Sequence, residues 1–156
     1  MVVAADSTAR HGQVWLGHSG ALAERQQRQL ERFPKLRLAI LKSNSGWLPF
    51  WLGRMDDHTH GRNSVMGKSE NLKLRPTEYF MRQCSVSCDS DERALKPVVE
   101  ELNGENIVWN TDYPHPDAIE PERALPDFDG QPTSSEAKRK IFWDNAVKLY
   151  GPRVVG

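Results

Sequence analysis

The residues able to do chemistry are few, and most of them stand at the ends of short apolar runs. Asp112 follows Ile107-Val108-Trp109-Asn110-Thr111 and precedes Tyr113-Pro114-His115-Pro116. A carboxylate on a proline-restrained turn at a strand end can bind a divalent metal or take a proton from metal-bound water. An Asp that satisfies turn amides is the plain alternative. His115, three residues on, can orient that carboxylate, contact a substrate or cap the local backbone. Lys42 and Ser43 close the run Leu36-Arg37-Leu38-Ala39-Ile40-Leu41, where a lysine can meet an anionic substrate or simply face solvent. His58-x-His60 has the spelling of a metal pair, but two His one residue apart share a face only on a strand. Here they end an amphipathic helical stretch and precede Gly61-Arg62-Asn63, so a surface helix terminus is expected. His18 follows Val14-Trp15-Leu16, a candidate short strand. Cys84 and Cys88 lie four residues apart in a strand-like stretch. Both then point to one face, too far apart for a disulfide, and two buried free thiols are expected.

The chain that must position these groups has 156 residues, 38% of them hydrophobic, with 21 Lys+Arg against 21 Asp+Glu. That is the length of one globular domain. No apolar run reaches the ~18 to 20 residues of a membrane span, and Met1 to Arg10 lacks a signal-peptide core, so a cytoplasmic location is the expectation. Zero net charge removes the broad basic field on which nonspecific nucleic-acid binding relies. Arg25, Arg28, Arg32, Lys35, Arg37 and Lys42 crowd an early segment, and Glu105 to Asp129 holds seven acids against Arg123 alone. With no aromatic residues interleaved at helical spacing, the basic group carries little weight as a nucleic-acid site, and the two stretches read as the solvated faces of a helix and a loop.

Helices and strands alternate along the chain. Gly20 to Arg32 is a helix closed by Phe33-Pro34, and Leu36 to Leu41 is a strand. Trp47 to about Asp57 carries Leu48, Trp51, Leu52 and Met55 on one helical face, with Pro49 confined to the first turn. Residues 59–76 are polar and weakly periodic, an insertion or lid loop. Pro76 to Arg82 forms a short helix and Cys84 to Cys88 a second strand. Asp89-Ser90-Asp91-Glu92 has the acids of a helix start, and Leu95, Val98, Val99 and Leu102 give an apolar stripe. Pro97 should split that stretch into two short helices. Asn106 to Trp109 is the third strand. Thr133-Ser134-Ser135-Glu136 matches a capping box for a last helix that buries Ala137, Ile141, Phe142, Asn145, Ala146 and Leu149 and stops at Gly151-Pro152. Such alternation implies a parallel sheet with right-handed crossovers.

Five blocks carry a resemblance: Glu31-Arg32-Phe33-Pro34-Lys35-Leu36, Ser45-Gly46-Trp47-Leu48-Pro49, Glu78-Tyr79-Phe80-Met81-Arg82-Gln83-Cys84, Ile107 to His115, and Asp144-Asn145-Ala146-Val147-Lys148-Leu149-Tyr150-Gly151. In this order they resemble the C-terminal part of an amidohydrolase-related protein of the branch that includes aminocarboxymuconate-semialdehyde decarboxylase. The resemblance implies an α/β fold, a partial (β/α)8 TIM barrel. The three strands would be the sixth to eighth, with helices on one face. A whole barrel needs ~250 residues and keeps its chemistry on loops after the strands. Residues 1–19 are a poorly matched N-terminal segment, 20–151 the C-terminal part of the domain and 152–156 a tail.

The same resemblance implies a metal-dependent hydrolase or nonoxidative decarboxylase acting on a small organic acid, with a divalent metal, zinc or alternatively manganese. The family's metal centre draws on a His-x-His pair from the first strand, a His from the fifth and an Asp after the eighth. Asp112 is the counterpart of that Asp, as catalytic group and metal ligand, and His115, Ser43 and Lys42 are candidate substrate contacts. His18 could be a remnant of the fifth-strand His. Decarboxylase relatives have a His near Ser43 and many other members an acid near Lys42. This chain has neither, which argues against strict decarboxylase chemistry. Arg54 and Asp56 resemble helix residues of a structural ion pair. One carboxylate falls short of the three protein ligands usual for catalytic zinc. A truncated, noncatalytic fragment and a module completing a barrel by association therefore stand beside the enzyme reading. Three strands cut from a barrel would expose two edges and an apolar inner face, favouring a marginal or homo-oligomeric state.

Overall fold

The computed structural model describes residues 2–6, 27–60, 72–116 and 118–151. Its centre is a parallel sheet of four strands in the order β1 (Val2–Asp6), β2 (Arg37–Leu41), β3 (Cys84–Cys88) and β4 (Ile107–Trp109). Three of these are the expected strands. The fourth, β1, adds to the three strands expected: it runs beside β2 in register from Val2 opposite Arg37 to Asp6 opposite Leu41. Val2-Val3-Ala4-Ala5 is short and half alanine, a weak strand signal that pairing with β2 overrides. Leu38 aligns with Cys84, and Val86 with Ile107. The candidate strand at residues 14–16, His18 and residues 20–26 of the first expected helix lie outside the described residues.

Helix α1 is described over residues 27–32. It is followed by α2 (Leu48–His60), α3 (Pro76–Gln83), α4 (Leu95–Leu102), α5 (Pro121–Asp129), α6 (Ser135–Arg139) and α7 (Asn145–Tyr150). Period-two alternation sends Leu38 and Ile40, Cys84, Val86 and Cys88, and Ile107 and Trp109 to the face on which the main core packs, with Leu48, Leu52, Tyr79, Val98 and Ile141. The opposite face is not bare, which corrects the expectation of helices on one side only. Ala39 and Val108 pack there with Leu149 of α7, and the Arg37 guanidinium donates to Leu149 O at 2.9 Å. Ser85 and Ser87 are also buried.

Several local expectations shift for identifiable reasons. Helix α2 runs on to His60, and Pro76 opens α3, so the expected 59–76 loop is shorter at both ends, and 61–71 lies outside the described residues. Pro97 does not split α4: it is the third residue of one helix, where a missing N–H costs no helical bond. Turns at residues 90–91 and 93–94 precede α4, and Glu92 between them is buried rather than in the first turn of the helix. Asn106 is not in β4 but stands before it with φ 61°. Helix α5 had no counterpart in the expectations, because two prolines and three acids in nine residues mask the i, i+4 pair Ala124 and Phe128 that it buries. The last helix is capped by Ser134, one residue later than expected, whose Oγ accepts from Ala137 N at 3.1 Å.

That helix buries Ala137, Ile141, Asn145 and Leu149, four residues apart each time. A 3.6-residue turn would drift off such a stripe, and a π-helical turn over Lys140–Asp144, wider than an α turn, absorbs the drift. Phe142, expected inside, is 41% exposed, although it stacks 4.9 Å from Trp109. The Asn145 amide donates to Gly104 O and Ile107 O at 2.8 Å, tying α7 to the start of β4. Gly104 is needed there: its φ is 69°, and a Cβ would meet Ala137 at 3.3 Å.

Cys84 and Cys88 are buried free thiols, as expected. Burial pushes Cys84 up to about 12 and holds Cys88 above its ordinary range too, where Glu92 and Asp89 add to the effect. Because the thiolate is the reactive form, the native protein at pH 8 should give under ~0.2 equivalents with Ellman's reagent and about two once denatured. Two fast-reacting thiols in the native state would contradict this packing.

Candidate functional site

Parallel strands bring their C-terminal ends to one rim. Leu41-Lys42-Ser43 leaves β2, Asp89 leaves β3 and Asn110-Thr111-Asp112 leaves β4 there. Lys42 and Asp112 are both in the left-handed region, with φ 58° and 56°. Non-glycine residues held in this way concentrate where a side chain must be aimed. The two are aimed at each other: Lys42 Nζ lies 3.1 Å from Asp112 Oδ2, with 26% and 24% of the side chains exposed. Since β3 lies between β2 and β4, this ion pair crosses the rim over the end of β3.

Each partner is anchored. Lys42 N–H donates to the buried Ser87 Oγ at 3.2 Å. The loop beyond Lys42 is pinned twice: Trp47 Nε1–H points at Ser43 O and Asn44 O, at 3.1 and 2.9 Å. Glu92 accepts from Ser45 N and Gly46 N, both at 2.7 Å, and from Ser45 Oγ at 3.0 Å. Burial raises the Glu92 carboxyl above its ordinary value, against the pull of those donors. Gly46 lets the loop come this close, because a Cβ there would stand 2.5 Å from Ala94 Cβ. On the β4 side, Asn110 Nδ2 donates to Cys88 O and Asp89 Oδ1, both at 3.1 Å.

Of the expected site residues, the structure thus brings Lys42 and Asp112 together and places His115 beside them. His115 Nδ1 is 3.8 Å from Asp112 Oδ2 with 49% of the side chain exposed, and the His115 backbone N–H donates to Asp112 O at 2.9 Å. The lysine is therefore not a simple solvent-facing residue. Ser43 turns its hydroxyl to Asn44 O at 3.3 Å, away from this group. His58 lies on α2 with Arg54 Nη2 3.1 Å from its Nε2, as a helix-end residue should. Arg54 and Asp56 are engaged separately, since Asp56 Oδ1 accepts from Thr77 N at 3.0 Å and joins α2 to α3. Ser87 and Glu92 were missed. The signal for Ser87 was a serine at alternating positions of an otherwise apolar strand.

Among the described residues no three His, Cys, Asp or Glu side chains converge as metal ligands. Asp112 and Asp89 offer carboxylates along the rim, but Asp112 Oδ2 already faces an ammonium and Asp89 Oδ1 accepts from Asn110 Nδ2. This donor set does not fit a divalent metal centre. No helix among the described residues is long and apolar enough to cross a membrane.

Known proteins put this rim in context. The chain is 30% identical over 122 residues to 2-amino-3-carboxymuconate-6-semialdehyde decarboxylase of Caenorhabditis elegans, covering 75% of this chain and 28% of that protein. It is 29% identical to 5-carboxyvanillate decarboxylase of Sphingomonas paucimobilis, with a TM-score of 0.61 over 80% of this chain and 36% of the other. The fold also matches a dihydroxybenzoic acid decarboxylase of a Polaromonas species, solved with bound manganese and an inhibitor, at 20% identity, TM-score 0.61, and 92% and 45% coverage. The chain therefore spans less than half the length of these relatives. The amidohydrolase family model matches residues 8–151. With the strand order, the rim and that match in agreement, the chain belongs to the amidohydrolase family.

Proposed function

We propose that the chain carries part of a site for a small aromatic carboxylic acid, in the manner of the nonoxidative decarboxylases, on the last strands of a (β/α)8 barrel. The observation that carries this reading is the Lys42–Asp112 pair, held across the rim at 3.1 Å by two left-handed residues. Support for the substrate class comes from the decarboxylases of carboxylated substrates to which the chain is similar. In such a reaction the bond between ring and carboxylate breaks, carbon dioxide leaves, and the ring carbon takes a proton. Lys42 binds the carboxylate electrostatically, Asp112 holds the ammonium in place and faces the reacting carbon, and His115 passes protons between solvent and Asp112.

Ligand-observed NMR with 2,6-dihydroxybenzoate and the neutral 2,6-dihydroxybenzamide checks the reading. The acid should bind at least about tenfold more tightly than the amide, as expected for a charge-assisted contact, and lose that preference in Asp112→Ala. Equal binding of acid and amide would refute it.

A second reading, a module that completes a barrel by association, is favoured by the sheet itself. Among the described residues β1 and β4 each pair with one strand, and four parallel strands are half of an eight-stranded barrel. Light scattering at high concentration discriminates: a strictly monomeric species would contradict association of this chain with itself.

A further inference from the structure

We infer that Lys42 is the resident cation of this rim: it gives a bound carboxylate its positive counter-charge without a metal ion and keeps divalent cations off Asp112. This rests on the carboxylate-site reading above and goes further, because it assigns the charge to one side chain of this chain. The ammonium is not a loose surface charge. Its backbone is held left-handed at φ 58°, its N–H is bonded to Ser87 Oγ, and its loop is clamped by Trp47 and by Glu92 through Ser45 and Gly46. An anchored start aims the side chain across β3 at Asp112.

Two consequences follow from elementary electrostatics. A divalent ion on Asp112 Oδ2 would sit against an ammonium already 3.1 Å from that oxygen, and like charges this close repel strongly where water is partly excluded. Among the described residues no second and third ligand converge to offset that repulsion. An ammonium has three donors, and with 26% of its side chain exposed it is within reach of a carboxylate entering from solvent. Asp112 then does for Lys42 what a counter-ion does in any anion receptor: it fixes the position of the cation while its own charge is matched.

The test uses the full chain with 2,6-dihydroxybenzoate as probe, by titration calorimetry, once with excess EDTA and once with manganese(II). Binding should be the same within about twofold in the two buffers. It should weaken at least about tenfold in Lys42→Met, recover to within about threefold in Lys42→Arg, and be unchanged in Lys96→Met, an ion-paired lysine of α4. Electron paramagnetic resonance of added manganese(II) should show the free-ion signal with wild-type protein. Binding that requires manganese and ignores Lys42 would overturn this inference and leave the carboxylate-site reading standing. No binding in either buffer would overturn both. Circular dichroism of Lys42→Met, matched against Lys42→Arg, separates lost binding from lost folding.

Discussion

Replacing Asn106 by alanine should lower the unfolding free energy by about 2 to 4 kcal/mol, the range expected when buried carbonyls lose a donor. Asn106 is 2% exposed, and its Nδ2 lies within bonding distance of Phe80 O, Met81 O and Cys84 O, at 3.1, 2.9 and 2.7 Å. Two of these carbonyls belong to the last turn of α3, where Phe80 O still accepts from the Cys84 backbone N–H and helical partners then run out. Lys148 Nζ donates to Asn106 Oδ1 at 2.9 Å, so the same side chain also holds α7. One residue thereby joins α3, β3 and α7 at the start of β4. The backbone at φ 61° adds a second cost, because asparagine tolerates the left-handed region better than alanine does. Asn106→Gly removes the side chain but not the conformational freedom, so it should lose less than alanine by up to about 1 kcal/mol. Urea unfolding of the three proteins measures both parts. A loss under about 0.5 kcal/mol in the alanine variant would show that the amide does not tie these elements together.

Glu92→Ala should cost about 2 to 3 kcal/mol at neutral pH, since it strips the acceptor from two backbone N–H groups and one hydroxyl in a buried loop. Glu92→Gln behaves differently, because an amide oxygen can accept the two N–H groups while its NH2 donates to Ser45 Oγ. The pH dependence follows from the direction of the shift. Burial raises the Glu92 carboxyl above its ordinary 4.5, so the folded chain binds this proton more tightly than the unfolded chain. The resulting loss of stability is absent below 4.5, grows as pH rises toward the folded value, and is complete above it. The wild type should therefore lose stability relative to Glu92→Gln as pH rises through that window. Parallel stability curves from pH 4 to 8 would mean that the carboxyl is not strained by burial. The loop concerned carries Lys42, so Glu92→Ala should also weaken any binding that depends on the ammonium.

The legible parts of this molecule were those with local signals. Leu36 to Leu41 and Ile107 to Trp109 are apolar runs bounded by turn residues, and they became β2 and β4 with Lys42 and Asp112 at their ends. The buried thiols followed from the spacing of Cys84 and Cys88 on a strand. What was not legible depends on distance. Val2–Asp6 is a strand because β2 lies beside it, and nothing in Val-Val-Ala-Ala-Asp announces that partner. Helix α5 hides its two buried positions among prolines and acids. The meeting of Lys42 and Asp112 joins residues seventy positions apart and needs both backbones turned left-handed, a state that Gly or Asn signals but Lys and Asp do not. Glu92 illustrates the same limit, because its place among acids suggested a helix start whereas its partners Ser45 and Gly46 lie on another loop.

A double-mutant cycle of Lys42→Met and Asp112→Asn, read by urea unfolding at low ionic strength, tests the central claim most directly, namely that these two side chains act as one unit across the rim. For a pair about three-quarters buried, a coupling energy of about 1 kcal/mol is expected, fading only slightly in added salt. A coupling within about 0.3 kcal/mol of zero would mean that the ammonium and the carboxylate are independent surface charges, and the account of the site built on them would be wrong.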